Sequence, residues 1–423
     1  METPELSCSG FPQINQPMTA VTTTNSKNTV WFYLLFVYLL FEYGRLHVTL
    51  NIDFARPIMI LIVIFTGMIL LSNQLFTLKN KQLTLLWMFI FLLALFIPFA
   101  RNNFYAYQCT KTMLLYMPFI VSVIICVNTI ERLKMIVFIC VLIMMYISIY
   151  AITHHGHGPG NYFLDENDLS LYINMWIPFC YFLFFYEEKW VLKLLYAVSL
   201  ILGLAAVVVS FSRGGFIGLI AVALTIVMFS KRRLISLAII LITILFIILF
   251  SDESYKSEMK TITDTKESTA IERIESWKSG WNMFLDNPLG VGGNNFLVRF
   301  DEYQTDYFKR GMWGRVAHSI WFTLLPELGL GGVIIFSFIL YYNIRDAFHL
   351  KRISIPAMKR ETIYLNQLGQ AFITSLAGFF ASATFLSVLY YAHYWYMLGF
   401  IVAATSITKE MQMMQTIHLQ KSE

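Results

Sequence analysis

Charge is what this chain has least of. Only 13% of its 423 residues are Asp, Glu, Lys or Arg, while 57% are hydrophobic and the mean hydropathy is strongly positive. A soluble globular domain carries about twice that share of charge, so the composition excludes one and points to a polytopic helical membrane protein. Cysteines are also scarce. Of five, Cys126, Cys140 and Cys180 fall in apolar runs, Cys109 lies near a run's end and Cys8 sits in the first polar segment. Their spacing gives neither a disulfide framework nor a zinc site. The first 27 residues hold no basic residue before Lys27 and no small-residue cleavage pattern, which reads as a short tail rather than a removable signal. Charges within apolar runs are almost absent and the two halves do not resemble each other, both unlike a transporter with an ionisable pathway and inverted repeats. A transporter or flippase for a lipid-linked substrate is therefore the weaker alternative, and a scaffold of an envelope complex the weakest.

Long apolar runs fill most of the chain. Stretches of about 15 to 22 residues predict about twelve transmembrane helices. They lie near 29–43, 57–76, 83–99, 105–127, 135–152, 169–186, 191–210, 215–229, 234–250, 320–343, 367–389 and 391–407. The expected fold is thus all-α, with tails at 1–28 and 409–423, spans one to nine in 29–250, a large loop carrying short helices at 251–317, and spans ten to twelve in 318–408. Basic residues Lys79, Lys81, Arg132, Lys134, Lys189, Lys193, Lys231 to Arg233 and Arg345 to Arg360 all fall on one side. By the positive-inside rule that side is cytoplasmic, with both termini on it. The 251–317 island, the loop His154-His155-Gly156-His157, Arg213 and His393 then face outward. Arg45, Arg56 and Arg101 lie on the outer side against the rule, either as tolerated exceptions or as contacts to an anionic lipid-linked substrate.

The polar island and its border hold the strongest candidates for chemistry. Arg273, Arg299, Arg310, Arg315 and His318 concentrate there. Within it, Ile274, Trp277, Trp281 and Phe284 step by three or four, the spacing of an amphipathic helix. That helix ends at Asp286-Asn-Pro-Leu-Gly290. The glycine run that follows, Gly290-Val-Gly-Gly-Asn-Asn295, lacks the strand and the Lys-Ser/Thr pair of a nucleotide loop, so it reads as a structural turn. His318 opens the next apolar run, where an imidazole near neutral pKa suits a general base; satisfaction by backbone at a helix start is the plainer alternative. Glu327 lies nine residues further, within an apolar segment, and needs a partner or water. A fold-supporting pair is its preferred reading and a substrate contact the other.

Arg213 sits in the tight turn Ser210-Phe-Ser-Arg-Gly-Gly215. It is either an arginine marking the membrane edge or a bidentate phosphate clamp, with the two glycines allowing backbone to approach a ligand. Three histidines at 154, 155 and 157 with acids nearby invite a zinc site, but their Gly/Pro-rich setting lacks helical spacing. Asn167 and Asp168 open the sixth run, where they suit a helix cap and hydrogen bonds to sugar hydroxyls.

Four segments in series resemble the O-antigen ligase and polymerase superfamily. These are Phe163-Leu-Asp-Glu-Asn-Asp-Leu-Ser170 continuing to Pro178, Ser210 to Gly215, Arg273 through Asn287-Pro-Leu-Gly-Val-Gly-Gly293, and Ala317-His-Ser followed by Glu327-Leu-Gly-Leu-Gly-Gly332. The Asn-Asp-Leu wording is nearest the O-glycosylation ligase branch, whereas Ser319 stands where many relatives carry Asn. The resemblance implies a metal-independent, inverting transfer of a glycan from undecaprenyl diphosphate, with no cofactor, at the periplasmic face of a bacterial inner membrane. The acceptor would be a hydroxyl of lipid A core, a growing glycan or a protein. It further implies His318 as the group that orients or deprotonates the acceptor, and Arg213 and Arg273 as holders of the diphosphate. Arg315, Asn167, Asp168 and Glu327 are the substrate-binding candidates. Membrane lipid is an expected partner and nucleic acid is not; the oligomeric state stays open.

Overall fold

A computed structural model describes residues 27–72, 79–230, 232–234, 237, 268–308 and 314–422. Among these residues every regular element is helical. In chain order they are α1 (Lys27–Glu42), α2 (Leu46–Thr49), α3 (Pro57–Ser72), α4 (Lys81–Phe96), α5 (Asn103–Cys126), α6 (Ile130–Thr153), α7 (Glu166–Tyr186), α8 (Trp190–Val209) and α9 (Arg213–Phe229). Further along the chain come α10 (Ser268–Asp286), α11 (Phe296–Tyr303), α12 (Ile320–Arg352), α13 (Lys359–Ala383) and α14 (Ala392–Ser422). The expected ninth span apart from Leu234 and Leu237, the 251–267 part of the island, the first tail to residue 26, Lys231 and Arg310 lie outside the described residues.

Six of these helices are long and apolar enough to cross a membrane: Asp53–Ser72, Asn103–Cys126, Ile130–Thr153, Glu166–Tyr186, Trp190–Val209 and Ile320–Arg352. Three more, Thr29–Glu42, Lys81–Phe96 and Arg213–Phe229, are apolar but shorter. That is fewer than twelve, and α13 explains part of the difference. Its Gln370, Thr374, Ser375 and Ser382 are buried against other helices, so it faces protein rather than lipid and has no need of an apolar surface all round. It also ends at Ala383, before the expected 389. In the opposite sense, α14 runs on through Ser422, into the stretch expected to be a tail.

The bundle has two distinct ends. At one, the basic residues flanking the helices lie over aromatic rings of neighbouring elements: Lys81 over Tyr342, Lys134 over Tyr186 and Tyr364, Arg232 over Phe185, and Lys351 over Phe229. Gln82 also donates to Asp346 at 2.7 Å. Helix α6 starts at this end and reaches the other after 24 residues, about 36 Å of rise. The starts of α7, α9 and α12 gather at that far end.

Helix α9 packs through glycine. A Cβ on Gly215 would fall 2.2 Å from Ser170 Oγ, and one on Gly218 would fall 1.9 Å from Ser382 Oγ, so α7 and α13 approach α9 at backbone distance. The close neighbour of Gly215 is thus another helix rather than a ligand. Gly214, whose added Cβ would make only ordinary contacts, keeps room on its outer side.

The glycine turn and the broken helix α12 form one interlocked unit. Gly329 takes φ 57° and ψ −159° inside α12, a region open in practice only to glycine. The break frees two carbonyls and an N–H that the 288–292 turn satisfies: Val291 N–H donates to Pro326 O at 3.0 Å, Gly292 N–H donates to Glu327 O at 2.8 Å, and Leu330 N–H donates to Pro288 O at 3.0 Å. A Cβ at Gly329 would lie 2.3 Å from the Leu289 carbonyl carbon. Glu327 completes the joint. Its carboxylate is buried and accepts from Asn294 N–H at 2.9 Å, Phe296 N–H at 3.1 Å and Tyr390 O–H at 2.7 Å.

Removing that carboxylate strands two backbone donors at about 1–3 kcal/mol each. We expect Glu327→Ala to cost about 3 kcal/mol, read as a lower unfolding midpoint in detergent, and Glu327→Gln to cost less. A Glu327→Gln variant that unfolds normally but shows a raised KM would instead make Glu327 a substrate contact.

Candidate functional site

The far end of the bundle closes into a ring of residues from five segments. It starts at the entry to α7, where Asp165 is the helix cap and accepts from Asn167 N–H at 2.7 Å. This corrects the capping role expected for Asn167 and Asp168, because the helix begins at Glu166 and leaves both inside its first turn. Their side chains are thereby free to reach sideways. Asn167 Oδ1 accepts from Ser212 Oγ at 2.7 Å, and Ser212 in turn caps α9 by accepting from Gly215 N–H at 2.8 Å. Asp168 is hydrogen-bonded to the side chain of Tyr391, in the turn between α13 and α14.

Arg213, the first residue of α9, is therefore fixed by a serine cap that Asn167 locks from a second helix. Beside it, the open side of Gly214 looks toward Phe385 of the α13–α14 turn. Phe385 lies against Trp277 of α10, with ring centroids 6.2 Å apart, and Trp277 stacks on Phe322 of α12 at 5.5 Å. The same indole donates to Ala317 O at 3.1 Å, holding the backbone immediately before His318. Thus α10 is amphipathic as expected, and its aromatic face clamps the entry to α12.

His318 takes a left-handed backbone, φ 47°, just before α12. Such a conformation is uncommon for a residue with a side chain and concentrates at functional sites. Burial pushes its imidazole below the usual 6.5, and the charges of Arg273 and Arg315 push the same way; Asp165 and Glu272 oppose them. All four groups are thus within electrostatic reach of His318. Arg315 is tied down by a 2.9 Å ion pair to Glu272 and a 2.8 Å hydrogen bond to Ser276, and it lies over Phe308. Arg273 follows Glu272 on the same helix.

Most predicted site residues come together in this ring. Arg213, Arg273, Arg315, His318, Asn167 and Asp168 all line it or adjoin its members, whereas Glu327 lies about 10 Å down α12 from the helix start and braces the break. Two acids were missed. Asp165 stands three residues before Asp168, and Glu272 directly precedes Arg273; only proximity to His318 distinguishes them from other surface acids. The histidines of the 154–157 loop do not converge. His154 stacks flat on Tyr150 at 3.8 Å, and His157 Nδ1 is bonded to Leu164 O at 2.9 Å. Among the described residues, no three metal-ligating side chains meet there or elsewhere. His393, expected to face outward, is buried beside Tyr43, Tyr162 and Tyr172. Arg101, on the outer side against the charge bias, is paired to Asp301 and Glu302 near α11.

Apolar helices long enough to cross a membrane mark a multi-pass membrane protein, and a partly buried, cation-rich polar cluster lies at one end of its bundle. Residues 198–337, about a third of the chain, match a family described as O-antigen ligase. The matched segment runs from α8 into α12 and contains Arg213, Arg273, Arg315, His318 and Glu327. No curated protein matches the chain.

Proposed function

We propose that this protein transfers a glycan from undecaprenyl diphosphate to an acceptor hydroxyl at the periplasmic face of a bacterial inner membrane, as an O-antigen ligase-like glycosyltransferase spanning the membrane about twelve times. The observation that carries this reading is the gathering of Arg273 and Arg315 around a half-buried His318 at the end of the bundle opposite the basic loops. In the proposed reaction the acceptor oxygen attacks the anomeric carbon from the face opposite the diphosphate, which inverts that centre. The acceptor proton passes to His318 Nδ1 or Nε2 as the new C–O bond forms. The bond from the anomeric carbon to the phosphate oxygen breaks, and undecaprenyl diphosphate leaves with its electron pair. Arg213 and Arg273 hold the developing negative charge, each guanidinium matching two phosphate oxygens. Arg315, Asn167 and Asp168 contact the substrates, with the two α7 residues facing sugar hydroxyls.

A diphosphate is already a good leaving group, so arginines can take the part that a divalent ion plays for many nucleotide-sugar enzymes. Purified protein in excess EDTA is expected to transfer lipid-linked donor at an unchanged rate. Loss of transfer that Mg²⁺ or Mn²⁺ restores would overturn the arginine clamp.

The same family match favours a second reading, in which the acceptor is the growing glycan and the enzyme is a polymerase. A deletion strain separates the two. Long chains stranded on undecaprenyl diphosphate indicate a ligase acting on lipid A core or protein, whereas single repeat units on the acceptor indicate a polymerase.

A further inference from the structure

Beside the ring, at the same end of the bundle, lies an open cleft of about 370 Å³ that the proposed reaction does not use. Arg45, His47, Val48, Asp53 and Tyr162 line it. Its volume falls within the roughly 300–1,000 Å³ typical of small-molecule sites. The wall is fixed in place. Arg45 has a left-handed backbone, φ 50°, its guanidinium lies 4.6 Å from the centre of the Tyr162 ring, and its stem packs on Gly160, where a Cβ would come within 3.0 Å of Arg45 Cγ. Gly160 itself has φ 68°, so a side chain there would be disfavoured twice.

The lining is rich in hydrogen-bonding capacity that the fold leaves unused. Among the described residues, Arg45 Nε, His47 Nδ1 and the Tyr162 hydroxyl are enclosed with no hydrogen-bond partner, and His47 is only 7% exposed. Unmet polar atoms gathered in one place are costly, and a ligand relieves the cost. His47 Nε2 lies 3.5 Å from Asp53 Oδ1, and the Asp53 side chain is 62% exposed.

The balance of these groups selects the ligand. One guanidinium, Arg45, and one carboxylate, Asp53, line the cleft, and Glu42 lies within electrostatic reach of Arg45, so a phosphate would meet as much repulsion as attraction. A polyhydroxylated ligand instead finds donors in Arg45 and Tyr162, an acceptor in Asp53, and a group of either kind in His47. The cleft is also joined to the ring. Tyr162 packs on Tyr391 with ring centroids 5.6 Å apart, and Tyr391 is the partner of Asp168.

We propose that this cleft is a carbohydrate subsite, which holds a sugar unit of the glycan remote from the bond being made and so selects which glycan is transferred. The proposal rests on the reading of the chain as a glycan transferase. Its test therefore begins with binding alone. The probe is the oligosaccharide released by mild acid from the host strain's own lipid-linked glycan, titrated against the full-length protein in nanodiscs by saturation-transfer NMR. Asp53→Asn and Arg45→Lys are each expected to weaken binding about five- to tenfold, the effect of about one ordinary hydrogen bond lost. The exposed position of Asp53 keeps that variant informative if the Arg45 variant folds poorly. In transfer assays the Asp53→Asn variant is expected to raise KM for the lipid-linked donor by a similar factor with kcat within about twofold, the pattern of a contact made equally in ground and transition states. Binding that both variants leave unchanged would overturn the subsite even if transfer is normal. Displacement of the oligosaccharide by inorganic phosphate, or by phosphatidylglycerol added to the nanodiscs, would overturn it in favour of an anion or headgroup site. Binding that depends on the cleft in a protein that transfers to no acceptor would sustain the subsite and defeat the transferase reading.

Discussion

Replacing His318 by alanine is expected to lower glycan transfer by about 10²- to 10⁴-fold, the usual worth of a positioned general base, with membrane insertion and the unfolding midpoint unchanged. The expectation follows from where the imidazole sits. Burial and the neighbouring cations Arg273 and Arg315 disfavour its protonated form, so the neutral ring that accepts a proton persists to lower pH than for a free histidine. The sign of the pH dependence follows. Because the folded group titrates below the usual 6.5, the rate should hold down through that pH and fall only in more acid solution. Arg315→Gln removes a cation and should move the acid limb upward, whereas Asp165→Asn removes an opposing carboxylate and should move it further down. Backbone strain is the competing explanation for any effect at position 318. His318→Asn separates the two, since asparagine tolerates a left-handed backbone but offers no basic ring. Normal transfer by the asparagine variant, or an acid limb that ignores both charge changes, would remove the base role.

Loss of either Arg213 or Arg273 to alanine is expected to reduce transfer by about 10²- to 10³-fold, as for removal of one group that stabilises charge in a transition state. Lysine should restore only part of it, because an ammonium cannot reproduce the two parallel hydrogen bonds of a guanidinium. If both arginines hold one diphosphate, the double variant should fall short of the product of the single effects, and such coupling is measurable in a double-mutant cycle on kcat/KM. The two residues reach the site by unrelated routes. Arg213 is aimed by the Ser212 cap and its bond to Asn167, and Arg273 rides on α10, which the Trp277 contacts dock against α12. Additive losses would argue that the two arginines do not hold one diphosphate, and a variant with full activity that its arginine marks the membrane edge instead of binding the leaving group.

The ends of the chain's helices were more legible than their interiors. Arg213 and His318 stand out because each is a polar group at the border of an apolar run, and a charge near lipid needs a reason. The glycine turn at 290–293 was correctly read as structural, yet the partner it locks into, the break at Gly329, has no local mark beyond a proline and more glycines. Glu327 was equally ambiguous. A lone acid in an apolar segment must be paired, but only the packed structure supplies Asn294, Phe296 and Tyr390 as the partners, 31 to 63 residues away. The span count suffered from the same blindness, because α13 buries polar side chains against neighbours that hydropathy does not see.

The sequence by itself determined the medium, the helical class and the face on which the polar groups gather. Those follow from transfer energies and from the bias of basic loops, which are properties of short segments. Only the tertiary structure decided that Asp165 and Glu272 join Arg273 and Arg315 around His318, that Arg213 is aimed by a serine from its own turn and an asparagine from another helix, and that Arg45 belongs to a separate cleft. Electrostatic and hydrogen-bonding contacts act over a few ångströms in space, and residues separated by more than a hundred positions acquire that proximity only when the helices pack.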